Sequence, residues 1–221
     1  MHLYLSSYKI GNRPEELSDL FKGNRRVGVI RNALDFSDDL ERLETGRKQE
    51  FADLESMGLS PESIDLRDYF FDTDSLKTRL DELTGLWVVG GNTFILRKAF
   101  HQSGLEDYLK NRIPDQQFVY GGYSAGICVM TPTLEGIHLA DEPDLTPAGY
   151  QAQPIWEGLG FVPYCIAPHY RSNHHETELI EKSVEYFIEH KIPFMALKDG
   201  EVLILELKHL PNNPIEKMPR F

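Results

Sequence analysis

The run from Phe118 to Gly126 ends in Gly122-Tyr123-Ser124-Ala125-Gly126, an apolar, strand-like segment that breaks into a Gly-x-Ser-x-Gly turn ahead of a helical pattern. That spacing suits a nucleophilic serine. At the tip of a sharp strand-to-helix turn a serine is held in strained backbone angles with close neighbours on both sides. Gly122 and Gly126 supply positions where a Cβ would collide. The turn lifts the hydroxyl clear of the sheet and sets the Ala125 N–H at a helix start, where a developing oxyanion is favoured. Gly-rich turns also join strands to helices without any chemistry, so Ser124 needs partners.

A second strand-like run, Leu86 to Val89, enters Gly90-Gly91-Asn92-Thr93 and then the helical Phe94-Ile95-Leu96. Strands of a parallel sheet end on one edge, so the two Gly turns are expected side by side, with a Gly90 or Gly91 N–H completing an oxyanion hole. The motif is neither a dinucleotide fingerprint nor a Walker loop. Its plain alternative is a turn with Thr93 capping a helix.

A serine hydroxyl needs a general base, and the base needs an acid on its other nitrogen. Of the eight histidines, His169 ends the strand-like Cys165-Ile166-Ala167-Pro168 run and is expected at the same edge as Ser124; His138 is the reserve. The acid is Asp141 or Asp144 if it lies between serine and histidine, and Asp199 if it follows both. The α/β-hydrolase order, serine then acid then histidine, requires further strands and helices between them. The segment from Ser124 to His169 is short and rich in Pro and Gly, which disfavours that architecture. His169, His174, His175 and Glu176 cluster in sequence without a His-Glu-x-x-His or Cys/His spacing, so no metal and no cofactor are expected.

The elements that must position these residues alternate along the chain. Strands are expected at His2 to Ser6, Arg26 to Ile30, Ser63 to Leu66, Leu86 to Val89, Phe118 to Tyr120 and Cys165 to Ala167. Helices are expected at Ser37 to Met57, Asp74 to Leu83, Thr93 to Ala99, Glu106 to Asn111 and Glu176 to Glu189. In the longest helix Leu40, Leu43, Phe51, Leu54 and Met57 make one apolar face. The alternation predicts an α/β fold with a mostly parallel sheet flanked by helices. Phe194 to Leu197 and Val202 to Leu207, separated by Lys198-Asp199-Gly200, are expected to form a C-terminal β-hairpin. The tail from Pro211 onward reads as irregular.

The chain has 221 residues and no linker-like stretch, so one domain spanning residues 1–221 is expected. With 23 Lys and Arg against 35 Asp and Glu the formal net charge is −12. Nucleic acid and anionic membrane surfaces are therefore not the expected partners. Cys128 and Cys165 lack a disulfide framework, the apolar run after Met1 is too short for a signal peptide, and no stretch reaches membrane-spanning length. A cytoplasmic protein is expected.

With Gly90-Gly91-Asn92-Thr93-Phe94, Gly122-Tyr123-Ser124-Ala125-Gly126, Ala167-Pro168-His169-Tyr170 and Ala196-Leu197-Lys198-Asp199-Gly200 in this order, the chain resembles the peptidase E group of serine peptidases, which includes cyanophycinases. The resemblance implies a fold like the class I glutamine amidotransferase domains. It also implies Ser124 as nucleophile, His169 as base, Asp199 as acid, and Gly91 with Ala125 as oxyanion donors. Asn92, Asp141 and Arg171 are the residues it offers for substrate binding. Two departures bear on specificity. The aspartyl dipeptidases of the group are described with glutamate where Asp199 stands, and with a basic, substrate-reading residue where Glu178 stands. A preference for N-terminal aspartate is therefore not expected. The function expected is a serine peptidase that hydrolyses small peptides through an acyl-enzyme. The alternatives are a non-catalytic ligand-binding homologue, or an esterase of α/β-hydrolase type with Asp141 or Asp144 as acid. The expected partners are a small peptide substrate and, in a homodimer, a second copy of the chain.

Overall fold

The computed structural model describes residues 1–211. In chain order the elements are β1 (His2–Ser6), α1 (Pro14–Leu20), β2 (Arg26–Ile30), α2 (Leu40–Ser56), β3 (Ser60–Ile64), α3 (Thr73–Leu80), β4 (Gly85–Val88), α4 (Thr93–Ser103), α5 (Leu105–Arg112), β5 (Val119–Tyr123), α6 (Ala125–Cys128), β6 (Cys165–Ala167), α7 (Thr177–Glu189), β7 (Phe194–Ala196) and β8 (Val202–Glu206). Six strands form one sheet in the order β3-β2-β4-β5-β1-β8. All its pairings are parallel except that of β8 with β1.

Period-two alternation buries both faces of this sheet. Leu3, Leu5, Leu86, Val88 and Tyr120 point into a core shared with α3, α4 and α5. Tyr4, Val27, Val29, Trp87, Val119 and Tyr123 point the other way, against Leu17 of α1 and Leu54 of α2. Helices on both faces of a mostly parallel sheet make the three-layer α/β arrangement that the alternation predicts.

Four details differ from the expectation. The C-terminal strands do not form a hairpin: β7 pairs in parallel with β6 in a separate two-stranded sheet, and β8 crosses to β1. The Asp-Gly pair does its local work, since Gly200 has φ 94°. A turn residue fixes backbone angles but not pairing partners, and the open edge of β1 offers β8 a full five-residue register. Second, β3 lies at Ser60–Ile64 rather than at Ser63 to Leu66. It is an edge strand containing Pro61, and edge strands tolerate proline and little apolar content. Third, Leu40 is 76% exposed, and the buried residues of α2 are Glu50 and Leu54. Fourth, α1 was not expected, although proline at its first position and Glu15 and Glu16 in its first turn are helix-start signals. The tail expected to be irregular lies, beyond Pro211, outside the described residues.

Candidate active site

Ser124 follows β5 with φ 51° and ψ −119°, angles that an L-residue adopts only when its surroundings compel them. The surroundings are glycines. A Cβ added to Gly90 would stand 2.8 Å from the Ser124 Cβ, and one on Gly126 would run into the Val88 carbonyl. β4 and β5 are parallel neighbours, so the two Gly turns emerge together, as expected. Gly91 has φ 145° and is wedged against the Ala33 carbonyl, where a Cβ would lie at 2.5 Å. Neither the Gly91 nor the Ala125 N–H donates to another backbone group among the described residues. Below the turn the Tyr120 hydroxyl donates to Gly126 O (2.6 Å), and the Tyr123 hydroxyl donates to Glu50 Oε1 (2.6 Å). The Trp87 indole N–H donates to Glu50 Oε2 (3.2 Å). Burial raises the Glu50 carboxyl above its usual range, against these two bonds.

His169 follows β6 with φ 60° and is 1% exposed. Its Nδ1 lies 2.7 Å from Asp199 Oδ1. Burial lowers the imidazole pKa, and the bond and charge of Asp199 oppose that. The ring stacks on His174, with centroids 3.7 Å apart and planes 6° apart, and Tyr8 meets both rings edge-on. Nε2 is buried without a hydrogen-bond partner among the described residues, Ser124 Oγ included. Its nearest charge is Glu176 Oε2 at 3.8 Å. Catalytic bonds of this kind are often long in an unliganded enzyme and tighten in the complex.

The acids divide clearly. Asp199 sits on the base, and its own N–H donates to Ser172 Oγ (2.8 Å). Asp141 instead accepts from the Thr93 N–H (2.9 Å) at the start of α4, and desolvation pushes its carboxyl up to about 7. Asp144 is exposed. Of the residues offered for substrate binding, Asn92 uses its amide internally: Oδ1 accepts from the Ile95 N–H, capping α4, and Nδ2 donates to Glu142 O. Arg171 is 66% exposed, pairs with Glu181 at 3.3 Å and lies over the Tyr170 ring, away from the imidazole. Glu178 is exposed on α7. His138 contacts Trp156 and Tyr186 instead of the site.

The fold also brings together part of the His-rich cluster noted in the sequence, and adds two residues that no motif marked. His169, His174 and Glu176 bring donor atoms within 4.8 Å of one another, a grouping that the sequence spacing had argued against. With parallel stacked rings the in-plane lone pairs of the two histidines do not converge on one point, so the group surrounds the base without composing a tetrahedral site. Ser7 and Tyr8 follow β1, and that position was the available signal: residues after β1 share an edge with residues after its parallel neighbour β5.

His169, expected at the edge that carries Ser124, instead follows β6 of the separate two-stranded sheet, and hydrogen bonds to Ser7 bring the His169–Asp199 pair and the Ser124 turn together. A mostly parallel sheet with a serine raised at a strand-to-helix turn and an imidazole–carboxylate pair nearby defines the class of this α/β protein. The model of Peptidase family S51 matches residues 15–210, and the chain belongs to that family. It is 33% identical over 153 residues to Peptidase E of Streptomyces coelicolor, covering 67% of this chain and 59% of that protein. It is 30% identical over 146 residues to the probable alpha-aspartyl dipeptidase of Drosophila melanogaster, covering 61% and 58%. The matches thus span under two thirds of either relative. Among solved structures, a putative Peptidase E from Listeria monocytogenes superposes with TM-score 0.68 at 22% identity, covering 93% of this chain and 98% of that one, which shows a shared fold. Among the described residues no helix is long and apolar enough to cross a membrane.

Proposed function

We propose that the protein is a serine peptidase that hydrolyses small peptides through an acyl-enzyme, with Ser124, His169 and Asp199 as its triad. The observation that carries this reading is the 2.7 Å bond between His169 Nδ1 and Asp199 Oδ1, which leaves the imidazole Nε2 as the free basic atom. Asp199 fixes the tautomer with the proton on Nδ1. Nε2 then takes the Ser124 proton as Oγ attacks the scissile carbonyl, and returns it to the leaving amine as the C–N bond breaks. Water repeats the cycle on the acyl-enzyme. The Gly91 and Ala125 N–H groups stabilise the tetrahedral oxyanion, and losing one such donor costs about 3 kcal/mol.

The substrate is a small peptide without a required acidic first residue. Arg171 is engaged with Glu181, and the carboxylate beside the free Nε2 of His169 is that of Glu176, at 3.8 Å. A preference for N-terminal aspartate would leave two carboxylates facing each other without a cation between them. The missing hydrogen bond between Ser124 and Nε2 favours a second reading, a ligand-binding protein of the same fold that turns nothing over.

One experiment separates the two. A fluorophosphonate probe is expected to label the wild type and not Ser124→Ala. Equal labelling of both proteins would remove Ser124 as the nucleophile, and labelling of neither, with tight peptide binding, would favour the second reading.

A further inference from the structure

β1 lies between β5 and β8, so the residue that leaves its C-terminal end emerges between Ser124, just after β5, and Glu201, just before β8. That residue is Ser7, and it is 0% exposed. Its hydrogen bonds reach all three segments of the site. The Ser7 carbonyl accepts the Ser124 N–H at 3.2 Å. Ser7 Oγ accepts the His169 N–H at 2.8 Å. The same hydroxyl donates to Asp199 Oδ1 at 3.0 Å, the oxygen that also faces His169 Nδ1. Leu197 O is a further acceptor at 3.3 Å, but a hydroxyl has one proton, and the nearer, anionic oxygen takes it. Finally, the Ser7 N–H donates to Glu201 O at 3.0 Å, which fixes the main chain beyond the acid.

We propose that Ser7 is a positioning residue, a polar junction that holds the base and the acid in register with the nucleophile turn. The proposal rests on the serine-peptidase reading. Its physical need follows from the topology. Ser124 belongs to the six-stranded sheet, whereas His169 and Asp199 follow β6 and β7 of the separate two-stranded sheet, and no strand pairing joins the two sheets. Something other than a ladder must set the distance between them. Ser7 does this from the end of β1, with one hydroxyl that satisfies the strained His169 backbone and orients the Asp199 carboxylate.

The test compares Ser7→Ala with Ser6→Ala. Ser6 is equally buried, but its hydroxyl donates to the Tyr8 main-chain carbonyl and makes no hydrogen bond to Ser124, His169 or Asp199. The groups facing the imidazole are Asp199 on Nδ1, Glu176 beside Nε2, His174 on the ring face, Tyr8 at the edge, and His175, whose charge also reaches it. Removing the Ser7 donor concentrates the Asp199 charge on Nδ1 and favours imidazolium, so the acid limb of kcat/KM moves to higher pH. Ser7→Ala is expected to lower kcat about 10- to 100-fold, the size of one hydrogen bond to a charged group, with KM little changed. Ser6→Ala is expected to keep both kcat and the limb. If Ser7→Ala does not fold, the near-isosteric Ser7→Cys, a weak donor, is read in the same way. Wild-type kcat and an unmoved limb in the folded Ser7 variant would overturn the proposal, as would equal losses in Ser6→Ala. If the wild type is active and labelled while Ser7→Ala matches it, only the role of Ser7 falls. If the wild type neither labels nor hydrolyses, the peptidase reading falls and takes this role with it.

Discussion

The Ser124 turn, after β5 of the six-stranded sheet, and the His169 loop, after β6 of the two-stranded sheet, meet at Ser7 and are built by different physics. Around Ser124 the constraint is steric: Gly90 and Gly126 leave no room for a Cβ, and the strand end is clamped by Tyr120 and by the pair Tyr123–Glu50. Around His169 the constraint is polar. Its three-residue strand carries little ladder, and the positive φ angles of His169 and Arg171 are held by side-chain bonds. The Thr177 hydroxyl donates to His169 O (2.5 Å) and accepts from the Ser172 N–H (2.9 Å), while Ser172 Oγ accepts from the Asp199 N–H. The nucleophile should therefore fail when atoms are added, and the base when polarity is removed.

Substitutions at three positions put this difference under load. The largest effect is expected from Asp199→Asn, which keeps the shape and removes the charge. The tautomer is no longer enforced, and kcat should fall about 10⁴-fold. The sign of the pH effect is also fixed. Asp199 raises the His169 pKa against burial, so without its charge the imidazole stays neutral to lower pH and the acid limb of kcat/KM moves down. A kcat close to wild type would mean that polarity does not govern the base.

Gly126→Ala should come next. Its methyl enters the Val88 carbonyl, and overpacking of this kind costs about 1–3 kcal/mol. For a chain of this size each kcal/mol lowers Tm by about 2–4 °C, which a thermal melt resolves. An unchanged Tm would break the steric half of the comparison.

The smallest effect is expected at Thr177, where shape and polarity can be separated. Thr177→Val keeps the shape but removes the partner of His169 O and of the Ser172 N–H, both part-buried and able to turn to water, a loss of about 1 kcal/mol. Thr177→Ser keeps the hydroxyl and should lose less than Thr177→Val in a denaturant titration. Equal losses would mean that packing, not polarity, holds the base loop.

The family match spans most of the chain, yet the charges around His169 are also set by residues outside the matching motifs. Besides Asp199, the acid that approaches His169 is Glu176, 3.8 Å from Nε2, and Arg171 pairs with Glu181 of α7. Specificity therefore has to be measured on this protein rather than transferred from its relatives.

Much of the fold was legible because its signals are local. Strand β1 and strand β2 stand where their apolar runs place them, and β4 and β5 are adjacent parallel strands whose Gly turns meet. The edge strand β3 was displaced in the reading because Ser-Pro-Glu-Ser carries no apolar pattern. The fate of β8 was hidden for another reason. An Asp-Gly pair announces a reversal but does not name the strand that will be met.

Sequence by itself determined the α/β alternation, the glycines that let Ser124 take a positive φ, and the choice of Ser124, His169 and Asp199 as the candidate site. These are consequences of side-chain volume and period along a few consecutive residues. Tertiary structure brought Asp199, the acid that the sequence favoured, onto His169, and it alone decided that Glu176 and His174 close around the imidazole and that Ser7 touches all three segments. The physical reason is range. Ser7 and Asp199 are 192 residues apart in the chain, and only the order of strands in the sheet brings them to one hydrogen bond.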